Sequence, residues 1–264
     1  MSSAARDWSD LALRMGSGLA MVAIGMAGIW YGGDVFHVMV AVICGLMVWE
    51  LARMLVPDRR PLALQVGAVS GVAALLAVYL PPVFAFPVLG AAVLVGVGQI
   101  KQHVVIYAVF AFLVLAAGWG MMHVRDDLGF GWMMWLVLVV VVTDVAGYFA
   151  GRMIGGPKFW PAISPKKTWA GTAAGWLAAA VVGAVFGIGT GAVLAVVLAS
   201  VFLSFASQMG DIAESAIKRR MGVKDSSSLI PGHGGVLDRF DGMLGASLGL
   251  LAIEGGLGFP WSVL

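Results

Sequence analysis

The chain has 264 residues, of which 61% are hydrophobic and only 11% charged, and its mean hydropathy is +0.97. A soluble domain carries about 25% charged residues, so a chain this poor in charge cannot cover a water-facing surface and a soluble globular domain is excluded. The net charge of +2 says little by itself, no nucleic-acid partner is expected, and the lone Cys44 excludes an intrachain disulfide and a cysteine-based metal site.

The N-terminal stretch MSSAARDWSDLALRM lacks a basic region followed by a short apolar run and a small-residue cleavage site. No cleaved signal peptide is expected, and the first apolar run should stay as an anchor. A membrane crossing needs roughly 20 apolar residues, and about nine such runs follow one another. They lie near 13–31, 35–56, 62–80, 82–99, 103–122, 131–151, 169–187, 190–209 and 243–260. Pro57 and Pro61 bracket the second connection, Pro81-Pro82 divides the third run from the fourth, and Gly187 to Gly191 divides the seventh from the eighth. The fold class expected is all-α, a polytopic transmembrane helical bundle.

Lysine and arginine set the orientation of such a bundle. With the N-terminus in the cytoplasm, all of the 16 cations except Arg125 fall on inside segments or at their edges. Two inside segments are longer than the rest, 152–168 and 210–242. Chemistry is therefore expected where they meet the cytoplasmic membrane surface. The chain divides by this reading into N-terminal spans, 1–130, and a C-terminal catalytic membrane region, 131–264. The N-terminus and the active site are both expected on the cytoplasmic side.

Asp144 lies inside the sixth span, in VVTDVAGYFAGR. An aspartate at a helix centre costs about 2.5–3.5 kcal/mol on insertion scales, so it should face a partner or a wet cavity. Tyr148 and Arg152 follow at helical spacing on roughly the same face. Either the group is a metal- or nucleotide-facing carboxylate, or Asp144 and Arg152 form an internal pair that orients the helix. Next comes Ile163 to Gly171, with Ser164, Pro165, Lys166, Lys167 and Thr168. Ser164 and Thr168 can cap the seventh helix. Adjacent lysines gain nothing from the positive end of a helix dipole, but a phosphate there would bind both the lysines and the backbone N–H groups. Ordinary inside-facing lysines are the competing reading.

The segment from Gly210 to Asp241 carries most weight. Asp211, Glu214, Ser215 and Lys218 follow helical spacing and share one face. After Gly222 the chain turns irregular, and Pro231 to Gly235 is a turn that lets backbone approach a ligand closely. Asp238, Arg239 and Asp241 follow directly. Three aspartates with several cations and a glycine-rich turn suit Mg²⁺ and a polyphosphate, because magnesium takes few protein carboxylates and completes its shell with water and phosphate oxygens. A solvated basic loop is the alternative. No Walker or dinucleotide-binding glycine pattern is present.

Ser215, Lys218-Arg219, Lys224-Asp225, Pro231, His233-Gly234-Gly235, Asp238-Arg239 and Asp241 fill every position of the C-terminal signature of a known family. In this the chain resembles the phosphatidate cytidylyltransferases, or CDP-diacylglycerol synthases. Asp144 to Arg152 is similar to that family's D-x-x-A-Y-F-x-G-R element, with Gly147 where alanine is common. Ser164 to Trp169 is similar to its S-P-x-K-T-W-E-G element, with Ala170 in place of the usual glutamate. Residues 1–130 resemble the family only in being apolar spans.

The resemblance implies a membrane enzyme that transfers a cytidylyl group from CTP to phosphatidic acid, yielding CDP-diacylglycerol and pyrophosphate, with Mg²⁺, with or without a second cation, and with a homodimer among the assemblies it allows. It points to Asp211 and Asp238 as metal ligands. Asp144 and Asp241 become supporting carboxylates, Asp144 near enough in role to stand with the metal set. Lys167, Lys218, Arg219, Lys224 and Arg239 become phosphate contacts. Ser164, Lys166, Thr168, Ser215 and Tyr148 fall on the substrate side. His233 lies in the signature loop, either moving a proton or ordering the loop by a hydrogen bond. Two other functions compete: transfer to a different lipid phosphate, and an ion-coupled transporter with Asp144 and Asp211 lining its path.

Overall fold

The computed structural model describes the backbone of residues 3–257 and side chains from 13 to 255. Nine α-helices occupy these residues: α1 (Ser3–Tyr31), α2 (Gly33–Leu55), α3 (Arg60–Val78), α4 (Pro82–Val97), α5 (Val104–His123), α6 (Gly129–Met153), α7 (Trp169–Gly187), α8 (Val193–Arg220) and α9 (Leu237–Leu257). Each begins or ends within a few residues of one apolar run, except that α8 continues well past 209. The prolines act as expected at helix starts, where a missing N–H costs nothing: Pro61 opens α3 and Pro82 opens α4.

Among the described residues, six stretches are long and apolar enough to cross a membrane. One of them, Val104–Met153, is 50 residues long. At 1.5 Å per residue that is about 75 Å, more than twice a hydrocarbon core of about 30 Å. It does not run straight through: α5 passes into a π-helical turn at Val124–Leu128, and Gly129 then adopts φ 83. The chain is a membrane protein of all-α type, with one small departure. Segment 152–168 forms a two-stranded antiparallel hairpin, β1 (Lys158–Trp160) and β2 (Ser164–Thr168), pairing Lys158 with Thr168 and Trp160 with Ser164. The Phe159 ring packs edge-on against Trp169 at 4.7 Å, fixing the hairpin to the start of α7.

The chain falls into two compact units. The first takes Met1–Leu115 and Met221–Phe240, the second Ala116–Arg220 and Asp241–Leu264. In the first, α2 packs on α3 and α3 on α4 around Phe36, Val48, Leu51 and Leu89, all fully buried. In the second, α6, α7 and α8 pack around Trp132, Trp135, Leu136 and Leu203. The two tryptophan rings meet edge to face at 5.2 Å.

Polar side chains are threaded through the second core at helical spacing. Trp135 Nε1 donates to Ser200 Oγ (2.9 Å), and Thr143 Oγ1 donates to Ser204 Oγ (2.7 Å). Trp176 Nε1 donates to Gln208 Oε1 (3.1 Å), and Gln208 Nε2 donates to the Thr172 carbonyl (3.3 Å). In lipid the apolar effect between helices is weak, so such bonds and close backbone approach hold helices together. One such close approach is between α6 and α7. A Cβ on Gly171 would sit 2.6 Å from the Gly147 carbonyl oxygen, and one on Gly147 would sit 3.3 Å from that of Gly171. Position 171 therefore requires glycine, whereas 147 is tight but open to alanine.

Candidate functional site

The stripe Ser200, Ser204, Gln208 on α8 leads along the helix to Asp211. From there α8 carries its charged end: Glu214, Ser215 and Lys218 on consecutive turns. Asp211 accepts from Ser215 Oγ (3.3 Å), and Lys218 Nζ lies 2.6 Å from Glu214 Oε2. The shared face expected from the spacing is thus formed. Glu214 is buried, and Asp241, in the second turn of α9, is half-buried. Ligand oxygens of Asp211, Glu214 and Asp241 all lie within 4.8 Å of one another. Among the described residues these form an acidic group tight enough to hold a metal ion. Three carboxylates this close repel one another unless cations intervene. Hard oxygen donors of this kind are what Mg²⁺ selects, so the residues fit the ion the sequence implies.

Lysine supplies part of the compensation. Lys167 Nζ is 2.5 Å from Asp211 Oδ2 and 3.5 Å from the Gln208 carbonyl oxygen. The hairpin makes this reach possible, because β2 delivers Lys167 to the end of α8 and then passes straight into α7. Thr168, buried, caps α7 by accepting from Gly171 N–H at 3.2 Å. A cavity of about 590 Å³ opens here, lined by Asp144, Tyr148, Arg152, Lys166, Lys167, Thr168 and Asp211 with neighbouring small residues. It lies within the usual range for small-molecule sites of about 300–1,000 Å³. Arg152 donates to the Tyr148 hydroxyl (3.0 Å), and among the described residues no ion pair joins it to Asp144. Asp144 is exposed to the cavity, as a wet-facing carboxylate should be. Ser164 begins β2, and Arg219 is exposed near the end of α8.

The remaining signature residues belong to the first unit, in the segment Met221–Phe240, which is a loop that runs into the first turn of α9. Asp238 turns its Oδ2 back onto the loop, accepting from Ser226 N–H (2.9 Å), Ser226 Oγ (2.9 Å) and Gly235 N–H (2.7 Å). The His-Gly-Gly turn is built around that carboxylate. Gly234 has φ 84, and a Cβ there would meet Asp238 Oδ2 at 2.7 Å. His233 Nδ1 lies 2.8 Å from Ser17 Oγ of α1, and the His233 carbonyl accepts from Arg239 Nε at 2.8 Å. Lys224 is exposed. So the second unit gathers Asp144, Tyr148, Lys166, Lys167, Thr168, Asp211, Ser215, Lys218 and Asp241. Lys224, His233, Asp238 and Arg239 lie with α1 and α2.

A model of the cytidylyltransferase family matches residues 12–253. The chain belongs to the cytidylyltransferase family. Among its relatives, a Brucella suis biovar 1 (strain 1330) protein named phosphatidate cytidylyltransferase is 43% identical over 148 residues, covering 53% of this chain and 52% of the relative. Proteins of the same name from Bacillus subtilis (strain 168) and Staphylococcus haemolyticus (strain JCSC1435) are 40% identical over 122 residues and 39% over 144. The first match covers 45% of each chain; the second covers 52% of this chain and 55% of the relative. The chain spans about half the length of the curated relatives it matches.

Three residues lie beyond the sequence reading of the site. Glu214 shares the expected face but is not in the metal set that the resemblance implies. Gln208 sits in an apolar run, where nothing but its polarity marks it. Glu50 is also inside a span, at 35–56, and the rule applied to Asp144 marks it equally. It is fully buried, and its carboxylate accepts from both Ser226 and Ser227 hydroxyls and from Val236 and Leu237 N–H groups.

Proposed function

We propose that this cytidylyltransferase makes CDP-diacylglycerol from CTP and phosphatidic acid at the cytoplasmic surface of a bacterial inner membrane. One observation carries the reading: Asp211, Glu214 and Asp241 converge within 4.8 Å beside Lys167 and Lys218, and Asp211 and Lys167 also line a 590 Å³ cavity. Anions and the cations that balance them belong in such a place. The names of the relatives support the choice of nucleotide and lipid.

A phosphate oxygen of the lipid attacks the α-phosphorus of CTP. The bond to the β-phosphate oxygen breaks, and pyrophosphate leaves with the electron pair. The lipid phosphate is already anionic, so no strong general base is needed. Asp211, Glu214 and Asp241 would hold Mg²⁺, which when bound offsets charge on the phosphates. Lys167 and Lys166 bind phosphate oxygens beside the start of α7, where the helix dipole favours anions. Positioning of the two phosphates and fixed positive charge supply most of the acceleration. Asp238, Lys224 and Arg239 keep the roles the resemblance implies, a metal ligand and two phosphate contacts. His233, already bonded to Ser17, orders the loop. On α6, Val141, Val145 and Phe149 are exposed around Asp144, an apolar face along which a lipid headgroup enters sideways.

The topology proposed is nine crossings with the N-terminus inside. It takes the 50-residue stretch as two crossings and adds α4 and α9 to the others. α8, with 28 residues, is about 42 Å long, enough to cross and still raise its charged end above the hydrocarbon. Transfer of label from α-labelled CTP into the organic phase tests the reaction, comparing phosphatidic acid with an ether-linked lipid phosphate. Transfer to phosphatidic acid alone supports the reading. Preferred transfer to the ether lipid moves the assignment to another acceptor, and no transfer to either contradicts it.

A further inference from the structure

Glu50 lies in α2 with no exposed surface. A carboxylate inside a membrane span is costly unless its oxygens are bonded. Here both oxygens are served from one loop. Oε1 accepts from Ser227 Oγ (2.6 Å) and Val236 N–H (2.9 Å). Oε2 accepts from Leu237 N–H (2.7 Å) and lies 3.1 Å from Ser226 Oγ. The two backbone donors are at the start of α9, where the first N–H groups of a helix have no partner within it. Glu50 thus caps α9 from another helix, with a charge of the sign that a helix start favours.

Asp238 is in the first turn of α9, and the same serine touches both acids. Ser226 Oγ is 2.9 Å from Asp238 Oδ2 and 3.1 Å from Glu50 Oε2, and its single proton serves one of them at a time. Gly235 completes the packing. A Cβ there would lie 2.5 Å from Glu50 Oε1 and closer still to Ser226 Oγ, so the loop can settle on the acid only with glycine at this position.

We propose that Glu50 is a positioning residue: through Ser226, Ser227 and the start of α9, it fixes the carboxylate of Asp238. The part that concerns the reaction rests on the function proposed above. Glutamine has the same shape but turns an amide NH₂ toward groups that are themselves donors, so Glu50→Gln removes the anchor without changing the packing volume. Aspartate keeps the charge at shorter reach.

The test uses the full chain purified in detergent. Hydrogen–deuterium exchange is followed across 226–237 without nucleotide or metal, and the Mg²⁺ dependence of cytidylyl transfer is measured alongside. In Glu50→Gln, exchange at 226–237 should quicken about tenfold, kcat should fall about tenfold and half-saturating Mg²⁺ should rise about threefold, since a bond to a charged group is lost. Exchange in α6, α7 and α8 should not change, and Glu50→Asp should recover part of each effect. Loss of folded protein alone would lower kcat but not move the Mg²⁺ requirement. Unchanged exchange in folded Glu50→Gln overturns the anchor. Faster exchange with wild-type rate and Mg²⁺ dependence overturns positioning. Wild-type protein that transfers nothing overturns the function above instead, and the exchange result still decides whether Glu50 holds the loop. If Glu50→Gln does not fold, Ser227→Ala removes one donor to the Glu50 carboxylate without touching Asp238, and the same outcomes decide.

Discussion

Lys167 stands between two demands. It neutralises Asp211 at 2.5 Å, and it faces a cavity proposed to take the phosphates of CTP. Lys167→Met keeps the aliphatic stem and removes the charge. The expected result is a fall of about 100-fold in kcat/KM for CTP, the scale of losing one preorganised electrostatic contact. Steady-state kinetics beside a melting curve checks it. A change within threefold would mean that the lysine serves Asp211 alone. At this scale the sequence was partly legible. Asp211, Ser215 and Lys218 share a face because 3.6 residues make a turn, and spacing states that directly. Glu50 shows the limit. A charge in an apolar run marks it as special, but its four donors are 176 to 187 residues away along the chain. No local pattern carries a partner at that distance.

Helices were the most legible elements, since a run of apolar residues is also what a crossing requires. The end of α8 was less so. Its apolar run stops near 209, yet the helix continues to Arg220, held by pairs such as Lys218 with Glu214. The hairpin at 158–168 was not legible. It has no alternation of apolar and polar residues, and its strands are short. Its position depends on the Phe159–Trp169 contact and on the cap at Thr168. The α6–α7 crossing offers a test at this scale. Gly171→Ala should destabilise the protein by about 1–3 kcal/mol, because a methyl group would have to push the helices apart. Gly147→Ala should cost clearly less, given 3.3 Å rather than 2.6 Å. Thermal unfolding in detergent orders the two, and equal losses would contradict the close crossing.

For the whole molecule, the charge bias makes a definite statement about sides. Single cysteines introduced at Arg59 and Lys224 should react with an impermeant maleimide only from the cytoplasmic side. One at Arg125 should react only from the opposite side. The native Cys44 is buried and should give no background. Labelling of all three from one side would contradict the proposed topology. The proposed topology would let a chain so poor in charge run the proposed phosphate chemistry. Its few charges are gathered at helix ends and in two connecting segments, and the rest of the surface is left to lipid.

The most direct measurement is pyrophosphate release by purified protein given CTP, Mg²⁺ and phosphatidic acid, beside Asp211→Asn and Asp241→Asn. The account predicts release that needs all three components, matches CDP-diacylglycerol formed one for one, and is nearly abolished in both variants. Release that persists in both folded variants, or that does not depend on phosphatidic acid, would contradict it.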